Sequence, residues 1–321
     1  MSDKPTILVT RKLPEAVEAR LSRDYDARLN PDDILYSKDE LIERTSGVQG
    51  VLPCHTEQFT TDVIGRLPEE VKIIANFSVG VDHVDLMASK DKGIVVTNTP
   101  DVLSDATAEI AILLMLGAAR RAGEGEALVR TQAWKDWNPN FMVGTQITGK
   151  RFGIVGMGRV GQVVADRARC FGMEIHYHNR SRLTPELEKG AIYHETLEDM
   201  LPVCQILSLN CPNTPDTVGL LNAERIARLP DGAIVINTAR GVVVDDEALI
   251  EALQSGKLAA AGLDVFNNEP DIHPKYRDLK NTFLMPHIGS ATTETRDAMG
   301  FRALDNLDAF FRGEEPGDRV A

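Results

Sequence analysis

Residues 151–170 read RFGIVGMGRVGQVVADRARC and contain Gly156-x-Gly158-x-x-Gly161. The three glycines follow an apolar strand-like run. They open a segment with apolar residues at Val160, Val163, Val164 and Ala168. In that setting they suit a dinucleotide pyrophosphate. Gly156 makes the tight turn, Gly158 lets the backbone approach the phosphates, and Gly161 lets helix and strand pack closely. The phosphates then meet a helix N-terminus, where N–H groups and the helix dipole favour anions. The next strand-like run, 174–178, leads into Asn179-Arg180-Ser181-Arg182. A carboxylate here would hold the adenine ribose and repel a 2′-phosphate. Asn179 removes that repulsion. Arg180 and Arg182 offer forked cationic donors and Ser181 a hydroxyl, which suits a phosphate. The expected cofactor is NADP(H), with NAD(H) still possible. Further along, Arg240 lies in INTARGVVVDDEAL, Asp264 and Glu269 in AAGLDVFNNEP, and His287 in LMPHIGSAT. Each follows a strand-like run, and open α/β sheets bind ligands at such strand ends.

The elements that must position these residues are legible from the alternation of short β-branched runs with helical patterns. Strands are expected over 7–9, 48–52, 73–75 and 94–96. Helices are expected over 14–23, 38–45, 61–67 and 84–90. A long helix over about 102–121 links this half to the next. The stretch 131–149, TQAWKDWNPNFMVGTQITG, is irregular and holds both tryptophans. Alternation restarts with strands over 152–155, 174–178, 191–193, 206–209, 233–236, 259–263 and 283–285. A last amphipathic helix spans about 291–312, with Met299, Leu304, Leu307 and Phe311 on one stripe. The fold class is therefore α/β with parallel sheets.

The 321 residues are comfortable for two domains. A net charge of −13 argues against general binding to nucleic acid or anionic membrane. Cys54, Cys170, Cys204 and Cys211 form no CxxC pair, so neither a metal site nor a disulfide framework is expected. They read as reduced thiols of a cytoplasmic protein. The N-terminus shows no long apolar signal region, and the most apolar run, 110–119, is too short to span a bilayer.

With these motifs in view, the chain resembles the D-isomer-specific 2-hydroxyacid dehydrogenase family over nearly its whole length. The resemblance rests on residues 156–161 (GMGRVG), 237–241 (NTARG), 262–265 (GLDV) with Glu269-Pro270, and 286–289 (PHIG). It implies two Rossmann-like, doubly wound parallel-sheet domains with a cleft between them. Residues 1–101 and 290–321 would form a flavodoxin-like substrate domain. Residues 102–289 would form an inserted dinucleotide-binding domain, with a dimerisation arm at about 120–149. The resemblance gives Arg240 the substrate carboxylate and the polarised 2-oxo group. His287 would donate the proton as hydride reaches C2, with Glu269 holding its other ring nitrogen. Met157, Arg159 and Val160 would join the three glycines on the phosphates, with Thr107 approaching from the connector helix. Asp264, Cys211, Pro212, Thr238, Ala239 and Gly289 would line the nicotinamide side. Val79 and Gly80 would grip the carboxylate through backbone amides, and Leu52 and Ser290 would also contact substrate. His55 is read mainly as a satisfied or solvent histidine that could face the cleft, and His83 as structural.

The resemblance is to the glyoxylate/hydroxypyruvate reductase branch. The chain lacks the regulatory domain of long phosphoglycerate dehydrogenases and the N-terminal extension of formate dehydrogenases. In this branch the arm mediates a homodimer, and a tryptophan can close the neighbour's pocket; Trp137 is preferred over Trp134. The implied reaction is NADPH-dependent reduction of glyoxylate to glycolate and of hydroxypyruvate to D-glycerate. Alternatives are reduction of a longer 2-oxo acid such as 2-ketogluconate, or a redox-sensing or corepressor protein that only binds the cofactor.

Overall fold

The computed structural model describes residues 4–321, which divide into two compact units, Met1–Leu103 with Ser290–Ala321, and Ser104–Gly289. The first unit is built on five parallel strands: β1 (Thr6–Val9), β2 (Asp26–Arg28), β3 (Gly50–Leu52), β4 (Ile73–Ala75) and β5 (Val95–Thr97). Helices α1 (Glu15–Asp24), α2 (Lys38–Arg44), α3 (Thr61–Arg66) and α4 (Leu86–Asp91) connect them in turn. The strand order is β2-β1-β3-β4-β5, the flavodoxin-like arrangement. Because both faces are covered, the central strands are apolar throughout, and Gly50-Val51-Leu52 and Ile73-Ile74-Ala75 are completely buried. The C-terminal helix (Thr293–Phe311) packs on this sheet through Met299, Ala303, Leu304 and Leu307. Gly300 lets it approach α1, since a Cβ there would run into Val17. Strand β2 has no counterpart in the sequence reading. It is an edge strand, Asp-Ala-Arg, with two exposed residues and therefore no apolar alternation to betray it.

The second unit opens with α5 (Ser104–Ala119) and α6 (Ala122–Arg130). The sequence suggests one helix to about residue 121. Instead, α5 stops at Ala119, Arg121 adopts a left-handed φ of 55°, and a separate helix follows. Gly123 and Gly125 hide α6 from a propensity reading. The Arg121 guanidinium bonds Glu124 at 2.8–3.0 Å and stabilises its first turn. Then come β6 (Arg151–Val155), α7 (Arg159–Arg169), β7 (Glu174–His178), α8 (Pro185–Glu188), β8 (Ile192–Tyr193), α9 (Leu197–Met200) and β9 (Ile206–Leu209). The unit closes with α10 (Ala223–Arg228), β10 (Ala233–Asn237), α11 (Asp246–Ser255), β11 (Leu258–Leu263) and β12 (Thr282–Leu284).

These seven strands are all parallel, in the order β12-β11-β10-β9-β6-β7-β8. Strand order reverses between β6 and β9, the switch point where doubly wound sheets place a dinucleotide. Helix α5 is largely apolar and lies across the sheet, with Asp105, Glu109 and Leu113 left exposed. Its Leu114 lies against Gly262 of β11, where a Cβ would meet the Leu114 carbonyl oxygen at 2.7 Å. Among the described residues no helix is long and apolar enough to cross a membrane.

Candidate active site

In the second unit, β6 ends at Val155 and the glycine turn follows. Gly156 has φ 89°, and a Cβ there would meet the Cys211 backbone at 2.7 Å. The two strand ends at the switch point are thus in direct backbone approach, which only glycine permits. A Cβ at Gly161 would strike the Gly156 carbonyl, so that glycine seats α7 on the turn. Gly158, the N-cap of α7, has nothing within 4 Å of where its Cβ would be. One glycine is closed by the neighbouring strand end, one by the turn itself, and the third faces open space at a helix N-terminus. That set fits a pyrophosphate. Met157 and Val160 belong to the packed side of the turn, and Arg159 projects from the first turn of α7.

At the end of β7, Asn179 does more than omit a charge. Its side-chain oxygen accepts a 2.6 Å bond from the Met157 amide, tying the ribose end of the site to the glycine turn. The two arginines then differ. Arg182 makes a two-pronged ion pair with Glu188, 2.7 and 3.1 Å, and lies over the Tyr193 ring. Glu188 also accepts from Tyr177 Oη at 2.6 Å, and Arg182 and Tyr177 hold its carboxyl below the usual range. The reading of Arg182 as a phosphate ligand is revised accordingly, because its fork is already spent on a carboxylate. Arg180 is exposed and makes no hydrogen bond or ion pair among the described residues, and Ser181 stands exposed beside it.

The strand ends of β10, β11 and β12 bring the chemistry together. Asp264 follows β11 and is 1% exposed. One of its carboxylate oxygens accepts the Ile288 amide and the other the Gly289 amide, each at 2.8 Å, and its carbonyl accepts the His287 amide at 2.8 Å. Burial raises the Asp264 carboxyl despite those bonds. His287 sits in this clamp with φ 54°, a left-handed conformation that a histidine adopts only when its surroundings impose it. Its Nδ1 bonds Glu269 Oε2 at 2.6 Å. The other Glu269 oxygen accepts the Phe266 amide at 2.7 Å, so the carboxylate is fixed by its own turn.

Arg240 is half-buried in the turn after β10. Asn237, 1% exposed, braces that turn by donating to the Arg240 carbonyl and accepting from the Ala239 amide, both at 2.9 Å. A Cβ at Gly241 would run into the Phe266 backbone. The turn bearing Arg240 and the turn bearing Glu269 therefore meet backbone to backbone at Gly241, and the Asn267 side chain also bonds the Val244 carbonyl across them at 3.3 Å. Gly241 was legible as part of a motif, but that reason for it was not. Thr238 Oγ1 bonds Asn210 Oδ1 at 3.3 Å, Cys211 is buried, and Pro212 is exposed. Thr107, on α5, lies 3.4 Å from where a Cβ of Gly289 would be.

In the first unit, the loop after β4 carries Val79 and Gly80. Ser78 Oγ donates to the Gly80 carbonyl at 2.6 Å and Asn98 to the Val79 carbonyl at 2.8 Å. The amides of Val79 and Gly80 donate to no acceptor among the described residues. Pinned carbonyls with amides left without an acceptor among the described residues suit an anion. His83 is buried and bonds Asn76 at 2.9 Å, a structural role. Leu52 is fully buried in the core, and its carbonyl accepts the Thr10 amide, so its side chain has no surface to offer a substrate. Ser290 is half-buried, and Trp137 is 73% exposed on the arm.

Comparison with known proteins matches residues 112–289 to the model of the D-isomer specific 2-hydroxyacid dehydrogenase, NAD binding domain. The chain is 46% identical to a glycerate dehydrogenase of Hyphomicrobium methylovorum over 97% of this chain and 98% of that one. It is 40% identical to a glyoxylate reductase of Thermococcus onnurineus, over 98% of this chain and 95% of that one. Among solved structures it is similar to an NADPH-dependent glyoxylate/hydroxypyruvate reductase of Sinorhizobium meliloti in complex with NADP and malonate. The TM-score is 0.87 and the identity 33%, over 99% of this chain and 97% of that one.

Proposed function

Because the chain belongs to the D-isomer-specific 2-hydroxyacid dehydrogenase family, in its glyoxylate/hydroxypyruvate reductase branch, we propose that it reduces glyoxylate and hydroxypyruvate with NADPH. The observation that carries the reading is the 2.6 Å His287–Glu269 bond on a turn clamped by the buried Asp264. A histidine oriented by a carboxylate is the arrangement of a general acid–base. With Nδ1 engaged, proton transfer runs through Nε2, and Glu269 stabilises the imidazolium.

The bound nicotinamide supplies the hydride. Arg240 holds the substrate carboxylate, and its guanidinium polarises the 2-oxo group; the Val79 and Gly80 amides of the first unit suit a carboxylate as well. His287 gives its proton to the carbonyl oxygen and is reprotonated from solvent. In the oxidative direction the same atom takes the proton. Thr107, the glycine turn and Asn179 position the dinucleotide, and Cys211, Pro212, Thr238, Ala239, Asp264 and Gly289 stand on the nicotinamide side. Arg180, with Ser181, meets the 2′-phosphate. That preference is supported by an exposed guanidinium, unpartnered among the described residues, where a carboxylate would repel the phosphate. The similar Sinorhizobium meliloti reductase is NADPH-dependent and its structure is a complex with NADP.

The chain works as a homodimer through the arm around α6. Val129, Trp134, Trp137 and Val143 are each more than half exposed there, a patch that a second copy would cover. A cytoplasmic location is in keeping with four unbridged cysteines.

The test is initial rates with glyoxylate and hydroxypyruvate, each with NADPH and NADH. A large NADPH preference with steady turnover supports the whole reading. NADH favoured would keep the reaction and remove Arg180 from its role. Failure with both oxo acids and both cofactors would overturn the proposed substrates. Longer 2-oxo acids such as 2-ketogluconate would then be assayed.

A further inference from the structure

The first unit carries a cavity of about 400 Å³ at the C-terminal ends of β1, β3 and β4. Its lining includes Arg11, Lys12, Asp33, Cys54, Phe77 and Arg296, all within this unit. Three cationic side chains against one carboxylate stand out in a chain whose net charge is −13. The three cations are not equivalent. Arg11 is committed to Asp33 through two bonds, 2.8 and 2.9 Å, with a third to Thr56 at 3.0 Å. Lys12 is exposed at the mouth.

Arg296 sits in the first turn of the C-terminal helix, half-buried. It makes no hydrogen bond or ion pair among the described residues, only a 6.0 Å approach to the Phe77 ring. Burial disfavours its charge, yet a guanidinium does not give up its proton. The neighbouring Cys54 cannot neutralise it, because burial pushes that thiol up to about 12 and leaves it uncharged. A desolvated cation without a counter-ion among the described residues, facing an open cavity, calls for an anion from outside.

We propose that this cavity is a second oxyanion subsite, anchored by Arg296 with Lys12 at its rim, that takes the distal carboxylate of a short 2-oxo dicarboxylic acid. The inference rests on the proposed function for the near end of the substrate. Phe77 is both a wall of the cavity and the start of the loop whose Val79 and Gly80 amides face outward, so both anion sites lie at one strand end. The reaction is unchanged. C2 gains the hydride from the reduced dinucleotide, its oxygen gains one proton drawn in the end from solvent, and both carboxylates remain. The products are a 2-hydroxy dicarboxylate and the oxidised dinucleotide.

The test compares oxaloacetate with glyoxylate, which has no tail, in wild type, Arg296→Met and Arg296→Lys. Arg296→Met should lower the oxaloacetate-to-glyoxylate ratio of kcat/KM about tenfold or more, the scale of a lost charge-assisted bond, and Arg296→Lys should restore part of it. Equal losses for both substrates would mean that Arg296 only supports the fold, and would overturn the proposal. Calorimetry of the NADP-bound protein with D-malate and D-lactate decides the subsite even if no oxo acid is turned over. D-malate should bind more tightly than D-lactate, and the difference should shrink in Arg296→Met. Lys12→Met, an exposed change that spares the core, should shrink it less. Equal affinities in wild type, or binding of neither acid, would overturn the subsite and leave the proposed function to its own assay.

Discussion

The chain leaves β11 and β7 in different ways. After β11, two carboxylates and a carbonyl hold the backbone: the Asp264 carboxylate takes the amides of Ile288 and Gly289, its carbonyl takes that of His287, and the Glu269 carboxylate takes that of Phe266. After β7, one side chain, Asn179, reaches back to the glycine turn, and Arg182 is tied to Glu188. Arg180 projects into solvent. Under the proposed function the first turn places a proton donor to a fraction of an ångström, and rigid second partners are how such precision is reached. The second must present charge to a flexible phosphate, for which an exposed arginine suffices. Chemistry and cofactor choice are therefore separable in this unit, and mutations at the two ends should fail differently.

The largest expected loss is at the first end. His287→Asn should lower kcat by roughly 10²- to 10⁴-fold, the usual worth of a general acid, with NADPH and NADH alike. Gly241→Ala comes next. Its methyl would collide with the Phe266 backbone, so the Arg240 and Glu269 turns must separate. We expect about 1–3 kcal/mol of lost stability in chemical denaturation and a fall in kcat with either cofactor. Glu269→Gln keeps a partner for His287 Nδ1 but removes the carboxylate charge beside the ring. kcat should fall with NADPH and NADH alike, and an unchanged kcat would deny Glu269 its role. The smallest effect should come from Arg182→Ala. KM for NADPH should change by less than that of any phosphate-binding variant, while the melting temperature drops because Glu188 loses its ion-pair partner and keeps only the Tyr177 hydroxyl.

The four motifs were legible because each couples a residue type to a backbone position. Gly156 needs its positive φ, and Gly158 and Gly161 need the room a side chain would take. The central strands were legible because burial on both faces makes them uninterrupted apolar runs, as in Gly50–Leu52 and Ile73–Ala75. Asp26–Arg28 was not, because an exposed edge strand draws its stability from pairing with Thr6–Leu8 rather than from its own pattern. Helix α6 was hidden by its glycines. At the site, the sequence could not distinguish Arg180 from Arg182. Their difference depends on Glu188, which α8 brings to Arg182 and Tyr177, and nothing in the local spacing marks that residue as buried. Leu52 was misplaced for a similar reason: a leucine ending a strand can face core or ligand, and here it faces core. Arg296 was passed over because a lone arginine on an amphipathic helix ordinarily reads as a solvated charge.

The most direct test of the separation is a steady-state comparison of wild type and Arg180→Ala with glyoxylate, varying NADPH and NADH in parallel. The account predicts that KM for NADPH rises about tenfold or more, as expected for a lost ionic bond to phosphate. KM for NADH and both kcat values should stay close to those of the wild type. A variant that loses affinity for NADPH and NADH equally, or loses kcat with both, would contradict it.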